Sequence, residues 1–453
     1  MTIPPSTSYH AQYDTDDAID NRLMASSILG RIKSGYFSRS VAIRQAEALC
    51  EDPGPPPDGG LVAWSQVFAA HLTIWNTWGY VTAFGVFQEY YVDILKRPAS
   101  DISWVGGIQV FLLFFVGTFS GGAVDAGHFR VTWIAGAAFN VLGIFTTAMC
   151  KEYWQVFLAQ GLCMGLGSGL MFCPVLSLLA AYFTSHRSLA IGVAAAGSAT
   201  GGMVFPVVVS KLLPRIGFAW TISVLGFITL SMLLVALTLL QPRLRPRKSG
   251  PFVEWASFKE PPYLFFSVGM FFNFWGLYVA FFYVSSFGKQ VVGLDWEGSI
   301  HLLLVMNGVG VFARVVPNFL ADRYTGPLNL LILCTLLSGM MLFCWISVEN
   351  PVGLYFFAAF YGACAASVQS LFPATLTTLP TDLSKMGVNL GMVMTIISIP
   401  SLTGSPVAGA LVTLGGNSCL YAQIFAGASM LIGTIMIIIS RLYITGLVLR
   451  AKV

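Results

Sequence analysis

Apolar residues run through the chain in long stretches, and polar residues come in short clusters between them. A helix needs about 20 apolar residues to cross the hydrocarbon core of a bilayer. Twelve stretches reach that length, near 62–87, 103–124, 130–149, 154–177, 188–210 and 217–240, and, beyond a polar break, near 263–288, 299–320, 328–348, 351–378, 386–411 and 417–440. The pattern predicts an all-α membrane protein with twelve transmembrane helices. The polar stretch 1–57, with Asp14, Asp16, Asp17 and Asp20 near its start and GPPP at its end, reads as a cytosolic, disordered tail with room for a short helix at 20–48, and not as a signal peptide.

The twelve spans divide into two similar sets. GGAVDAGHFR at 121–130 follows the second span, and NFLADRYTGP at 318–327 follows the eighth; Asp125 and Asp322 stand 197 residues apart. FCP at 172–174 echoes LFP at 371–373, with Pro174 and Pro373 separated by 199 residues, and Arg187 and Lys385, each before a span, by 198. Three spacings agreeing within two residues point to a duplication. The expected units are two pseudo-symmetric six-helix halves, 58–240 and 263–445, a cytosolic linker at 241–262 and a cytosolic C-terminus at 446–453. This arrangement resembles that of the major facilitator transporters, which implies a substrate site between the halves near the midplane. A channel or a membrane enzyme would not require the repeat.

Composition agrees with a lipid solvent. The chain is 56% hydrophobic and 10% charged, with a mean hydropathy of +0.75, against about 25% charged in a soluble domain. A net charge of +4 is too small to suggest a nucleic-acid partner. Lys and Arg set orientation. With the N-terminus in the cytosol, twelve of them, Arg441 included, fall on the inner side and six on the outer, the tail not counted. The eight cysteines are scattered and form no CxxC, so they read as buried small hydrophobes with no metal site.

The duplicated loops hold the clearest candidate chemistry. Asp125 with Arg130, and Asp322 with Arg323, suit a conformational latch, in which an aspartate faces the N-terminus of a neighbouring helix and pairs with a cation. The alternative is a solvated turn. The Gly-, Ala- and Ser-rich stretch 181–202 reads mainly as a close helix-packing face. GLGSG at 165–169 has no strand before it and is packing, not a nucleotide loop.

DGGLVAW at 58–64, YFTSHRSLAIGVAAAGSATGG from Tyr182 and LADRYTGPLN at 320–329 together resemble the monocarboxylate-porter-like family, fungal branch, over about residues 58–445. The resemblance implies twelve helices, alternating access and small organic substrates, in a branch linked to uptake of acids or vitamins and to export of secondary metabolites. The chain departs from it at two places. Thr82 or a neighbour stands where the porters carry a lysine in the first helix, and Gly310 stands where they carry an aspartate one turn before the arginine matched by Arg314. Lactate-type proton symport needs those charges.

Arg314 is the one charged residue well inside an expected span. Such an arginine usually faces the protein interior or a wet cavity. Asn307, seven residues earlier, shares its face. Arg314 is expected to hold an anionic or carbonyl-bearing substrate, the alternative being a cap on a neighbouring helix. In the first helix His71, Trp75, Trp78 and Thr82 fall on one stripe, with Asn76 beside it; the seventh offers Asn273, Trp275, Tyr278 and Tyr283. Aromatic rings with a few amides suit a planar organic molecule. His71 is the candidate internal proton carrier, with a structural histidine as the equal alternative. Tyr361, Gln369, Gln109 and Asn389 are further lining candidates. Pro206 in GSATGGMVFP does not follow a glycine, so an antiporter glycine-proline signature is degraded.

The expected function is secondary active transport of a bulky, acidic metabolite, directed toward export, by a plasma-membrane monomer needing no cofactor. The alternatives are proton-linked uptake of a monocarboxylate or vitamin, and a non-transporting receptor or scaffold. A membrane enzyme finds no support, because the sequence has no HExxH, acidic metal cluster or phosphate loop.

Overall fold

The computed structural model describes residues 56–97, 99–243, 254–379, 386–416, 418–446, 448 and 451, and these form helices joined by short turns, with no strand among them. The expected tail up to residue 55, the middle of the linker and Lys385 lie outside the described residues. The first span is α1 (Gly60–Thr82), continued past Ala83 by α2 (Phe84–Leu95); α3 (Ala99–Phe115) and α4 (Gly117–Asp125) make the second, and α5 (Phe129–Thr147) the third. The fourth begins at Tyr153 and passes through a wider π-type stretch, Phe157–Cys163, into α6 (Met164–Tyr182). α7 (Arg187–Leu239) is followed by α8 (Pro261–Phe287), α9 (Trp296–Leu320), α10 (Pro327–Cys344), α11 (Pro351–Leu376), α12 (Met386–Leu414) and α13 (Leu420–Thr445).

Ten segments among the described residues are long and apolar enough to cross a membrane, and α7 is one of them. At 53 residues α7 is about 80 Å of helix, more than twice a bilayer core. It holds two spans, broken at Gly217, whose φ of 75° and ψ of 173° are open essentially to glycine alone. α1 adds the remaining span. Its 23 residues carry no charge, but Gln66, His71 and Asn76 lower its hydropathy. Among the described residues twelve crossings result.

Helix starts are set by local chemistry. Pro327 and Pro351 open α10 and α11 at positions where a missing N–H costs nothing. The Asn350 side chain accepts from the Gly353 N–H at 2.7 Å, and Asp295 from the Gly298 N–H at 2.8 Å. α13 runs to Thr445, past the expected end at 440. Arg441, read from the sequence as a cytosolic loop residue, is therefore a buried member of the last turn, where it donates to Asn329 Oδ1 and to the Val448 carbonyl.

Two seams dominate the contact between the first six spans and the last six. α12 lies along α3 and α4, and the first part of α7 lies along α9. The repeat exchanges these pairs, second with eleventh and eighth with fifth. Both seams close to backbone distance, since a Cβ on Gly121 would fall 2.1 Å from the Gly387 carbonyl oxygen, and one on Gly192 would fall 2.4 Å from that of Arg314. Small residues allow such approach in lipid, where association depends on packing and not on hydrophobic exclusion.

Candidate functional site

At one end of the seams the two duplicated aspartates cap helices of the opposite half. The Asp125 carboxylate accepts from the backbone N–H groups of Gly387 at 3.1 Å and Val388 at 2.9 Å, in the first turn of α12. The Asp322 carboxylate accepts from those of Ser188 at 3.1 Å and Leu189 at 2.7 Å, in the first turn of α7. A helix start exposes N–H groups without intrahelical partners and the positive end of the helix dipole, so a carboxylate is a strong cap there. Arg130 and Arg323 are both exposed, and Arg323 lies over the Tyr324 ring. Arg187 also crosses between the halves, donating from Nη1 to the Thr377 carbonyl at 2.8 Å.

Beside these caps sits a contact that joins two of the quoted motifs. Asp58, in DGG, accepts from the Thr184 N–H at 2.5 Å, the Ser185 N–H at 2.8 Å, the Ser185 hydroxyl at 3.1 Å and the Thr184 hydroxyl. Its own N–H donates to the Tyr182 carbonyl at 3.1 Å. Burial pushes the Asp58 carboxyl up, but these hydrogen bonds outweigh it and hold the carboxyl down to about 2. The chain turns there with Asp58 at φ 49°, an uncommon backbone region for a residue with a side chain. Sequence reading named both motifs without pairing them.

Between the halves lies a cavity of about 30 Å³, room for roughly two waters. Trp78 of α1 and Tyr278 of α8 stack across it, with centroids 6.3 Å apart and planes 13° from parallel. Phe114 meets Phe274 edge-on at 5.6 Å, and Phe274 meets Phe372 at 5.4 Å. Arg314 of α9 is 3% exposed and lines the same cavity. It donates from Nη1 to the Gly310 carbonyl at 3.1 Å and from Nη2 to Gln369 Oε1 at 3.0 Å. A guanidinium has five N–H donors, so these bonds leave capacity for an oxyanion. The Tyr278 hydroxyl is sealed from solvent and finds no hydrogen-bond partner among the described residues.

Of the residues expected to bind substrate, Arg314, Gln369 and Tyr278 meet at this cavity, together with Trp78. The others lie elsewhere. His71 bridges α1 to α7, through Nδ1 to the Val193 carbonyl at 2.8 Å and Nε2 to the Thr200 hydroxyl at 3.2 Å. Trp75 packs on Phe205 of α7 at 4.4 Å. Asn76 bonds back to Leu72 within its own helix. Asn307 donates to the Leu303 carbonyl and approaches Gly202. Asn273 packs against Gly433 of α13, and Trp275 against Phe425 of the same helix. Tyr361 donates to the Leu277 carbonyl at 2.7 Å. The lining phenylalanines, Phe114, Phe172, Phe274 and Phe372, went unnoticed among 35 phenylalanines. Phe172 and Phe372 sit in the repeated FCP and LFP triplets, whose prolines carried the spacing, and that repetition was the available signal.

The family model of the Major Facilitator Superfamily matches residues 67–405. An MFS-type transporter of Gibberella zeae is 43% identical over 396 residues, covering 87% of this chain and 90% of its own length. An aspyridones efflux protein of Emericella nidulans is 34% identical, covering 84% of this chain and 78% of its own. An agnestins efflux protein of Paecilomyces divaricatus is 32% identical, covering 92% and 100%. The crystal structure of a human organic anion transporter superposes with a TM-score of 0.68 at 12% identity over 83% of this chain and 98% of its own, which speaks to the fold. A twelve-span repeat with crosswise caps, a cavity between its halves and relatives of this similarity lead to one assignment: the chain is a multi-pass membrane protein of the major facilitator superfamily.

Proposed function

We propose that the chain is a secondary transporter that exports a bulky, planar organic anion, a fungal secondary metabolite, by alternating access. The observation that carries this reading is Arg314, a buried guanidinium with spare donors facing a cavity walled by aromatic rings from both halves. Arginine suits carboxylate recognition because its fork matches two oxygens at once. Stacked rings such as Trp78 and Tyr278 suit a flat, partly apolar body. Relatives named as efflux proteins for aspyridones and agnestins support export. Within the superfamily we assign the chain to the monocarboxylate-porter-like branch, because DGG and YFTSHR form one joined contact. In this reading it is a plasma-membrane monomer with cytosolic termini and no enzymatic activity, and the Asp125 and Asp322 caps are the latch that holds one conformation.

The test is an untargeted mass comparison of cells and medium in the source organism, with the gene intact and deleted. Export predicts a compound that accumulates in the cells and falls in the medium on deletion, with the same pattern for Arg314→Ala at normal membrane abundance. A compound left unused in the medium would overturn export in favour of uptake of a carboxylate or vitamin.

A further inference from the structure

We propose that Arg314 makes the return of the empty carrier the voltage-dependent half of the transport cycle, so that an inside-negative membrane potential drives export of an organic anion. This rests on reading the cavity as the substrate site. A guanidinium stays protonated at any physiological pH. Its two hydrogen-bond partners among the described residues, the Gly310 carbonyl and Gln369 Oε1, are neutral. The side chains that face it from α1, α3, α6, α7, α8 and α11 are apolar, aromatic, hydroxyl or amide groups, and among the described residues no carboxylate lines the cavity. The carboxylates of Asp125 and Asp322 are committed to the first turns of α12 and α7. His71 bonds to α7 and does not line the cavity. The empty site therefore carries one positive charge, and a bound monoanion brings it to zero.

In alternating access the membrane potential falls across whichever side is sealed. A charge at the site changes its place in the field when the sealed side switches, and a neutral site does not feel the switch. The loaded carrier reorients without regard to voltage. The empty carrier, carrying the Arg314 charge, is drawn toward the negative side. One turn then moves a neutral complex outward and one positive charge inward, which equals the one negative charge the exported anion removes from the cell. The charge balances with no coupling ion.

The decisive measurement needs no substrate. The full-length protein is reconstituted in a supported membrane, the potential is stepped, and the displacement current of the empty carrier is recorded. Wild type is expected to give a transient that saturates with voltage. Gln369→Glu places a carboxylate about 3 Å from the guanidinium with little change of shape, and is expected to reduce the displaced charge at least tenfold. Arg314→Lys keeps the charge and is expected to keep the transient, which guards against reading misfolding as neutralisation. No transient in wild type, or an unchanged one in Gln369→Glu, overturns the proposal. 2-Naphthoate on both faces is expected to suppress the wild-type transient, and neutral 2-naphthamide to leave it. A Gln369-sensitive transient that naphthoate does not touch overturns the aromatic-acid reading of the cavity and leaves the voltage dependence standing.

Discussion

The crosswise caps make a prediction whose size follows from the geometry. Asp125→Asn keeps one acceptor oxygen for the first turn of α12. It removes the negative charge and turns an NH₂ group toward backbone donors at Gly387 and Val388. Hydrogen bonds to a charged group contribute about 1.5–3 kcal/mol, and a partly buried carboxylate at a helix start up to about 2 kcal/mol. Losing the charge while keeping one acceptor should cost roughly 1–2 kcal/mol, a shift of roughly 5–30-fold toward the unlatched conformer. Asp322→Asn weakens the cap on the other seam, against Ser188 and Leu189, at the same end of the molecule. Costs at separate sites add, so the double variant should shift the equilibrium by roughly 2–4 kcal/mol.

A native reporter exists for this opening. Cys173 is fully buried, with Sγ 3.9 Å from the carbonyl of Gly387, the residue whose N–H Asp125 holds. When reclosing outpaces modification, the rate at which N-ethylmaleimide labels Cys173 tracks the open fraction. Peptide mass spectrometry should find that rate raised roughly 5–30-fold in either single variant and further in the double. Cys344, already exposed, is the control and should not change. A double variant that labels Cys173 within twofold of wild type, with an unchanged melting temperature, would refute the latch and return both loops to packing.

Other substitutions separate binding from support. Gln369→Glu should lower export of an anionic substrate at least tenfold by pairing Arg314 internally, at unchanged membrane abundance; retained export would remove Arg314 from the site. His71→Gln breaks a bridge between α1 and α7, so the melting temperature should fall while the pH profile of transport keeps its shape; a flattened profile would make His71 the proton carrier. Asp58→Asn should destabilise the protein by on the order of 1 kcal/mol, like loss of a helix cap. Because the folded Asp58 carboxyl is held down, its contribution is present above the ordinary carboxylate range and is lost as pH falls from about 4 toward 2. The difference between wild type and Asp58→Asn should therefore be flat from about pH 5 to 8; a difference that varies there would refute the clamp.

What could be read from sequence follows from the solvent. Span lengths were legible because hydrocarbon enforces them. Arg314 stood out because a charge in lipid is costly. Helix faces were less legible, since lipid and protein interior are both apolar and periodicity does not separate them. His71, Trp75 and Trp78 share one stripe on α1, yet the first two meet α7 while Trp78 meets Tyr278 across the cavity. Asn273 turns toward α13 because Gly433 leaves room there, a property of the neighbour and not of α8, and Trp275 meets Phe425 of the same helix. Arg441 reads as the end of a span because it is the first charge after a long apolar run, yet the helix continues through Leu442 and Ile444 to Thr445, and the long side chain reaches the Val448 carbonyl.

The cavity and the latch constrain each other. A small-molecule site usually measures roughly 300–1,000 Å³, and the space beside Arg314 is an order of magnitude smaller at about 30 Å³. No bulky metabolite fits without parting the rings of Trp78, Tyr278, Phe114 and Phe274, which come from opposite halves. The rings cannot part far while α12 is held to Asp125 and α7 to Asp322, because the same helices carry the seams. Loading of substrate from the capped end must then be linked to release of the caps. A ligand shifts such an equilibrium only by its difference in affinity for the two states. A preference of roughly 30- to 1,000-fold for the opened site offsets roughly 2–4 kcal/mol, the part of the two caps that the Asp→Asn pair removes, and releasing both caps fully needs more. A guanidinium with unused donors and a stack of rings waiting for a flat partner are the groups able to supply that preference, which is why latch and cavity should be tested in one variant series and not separately.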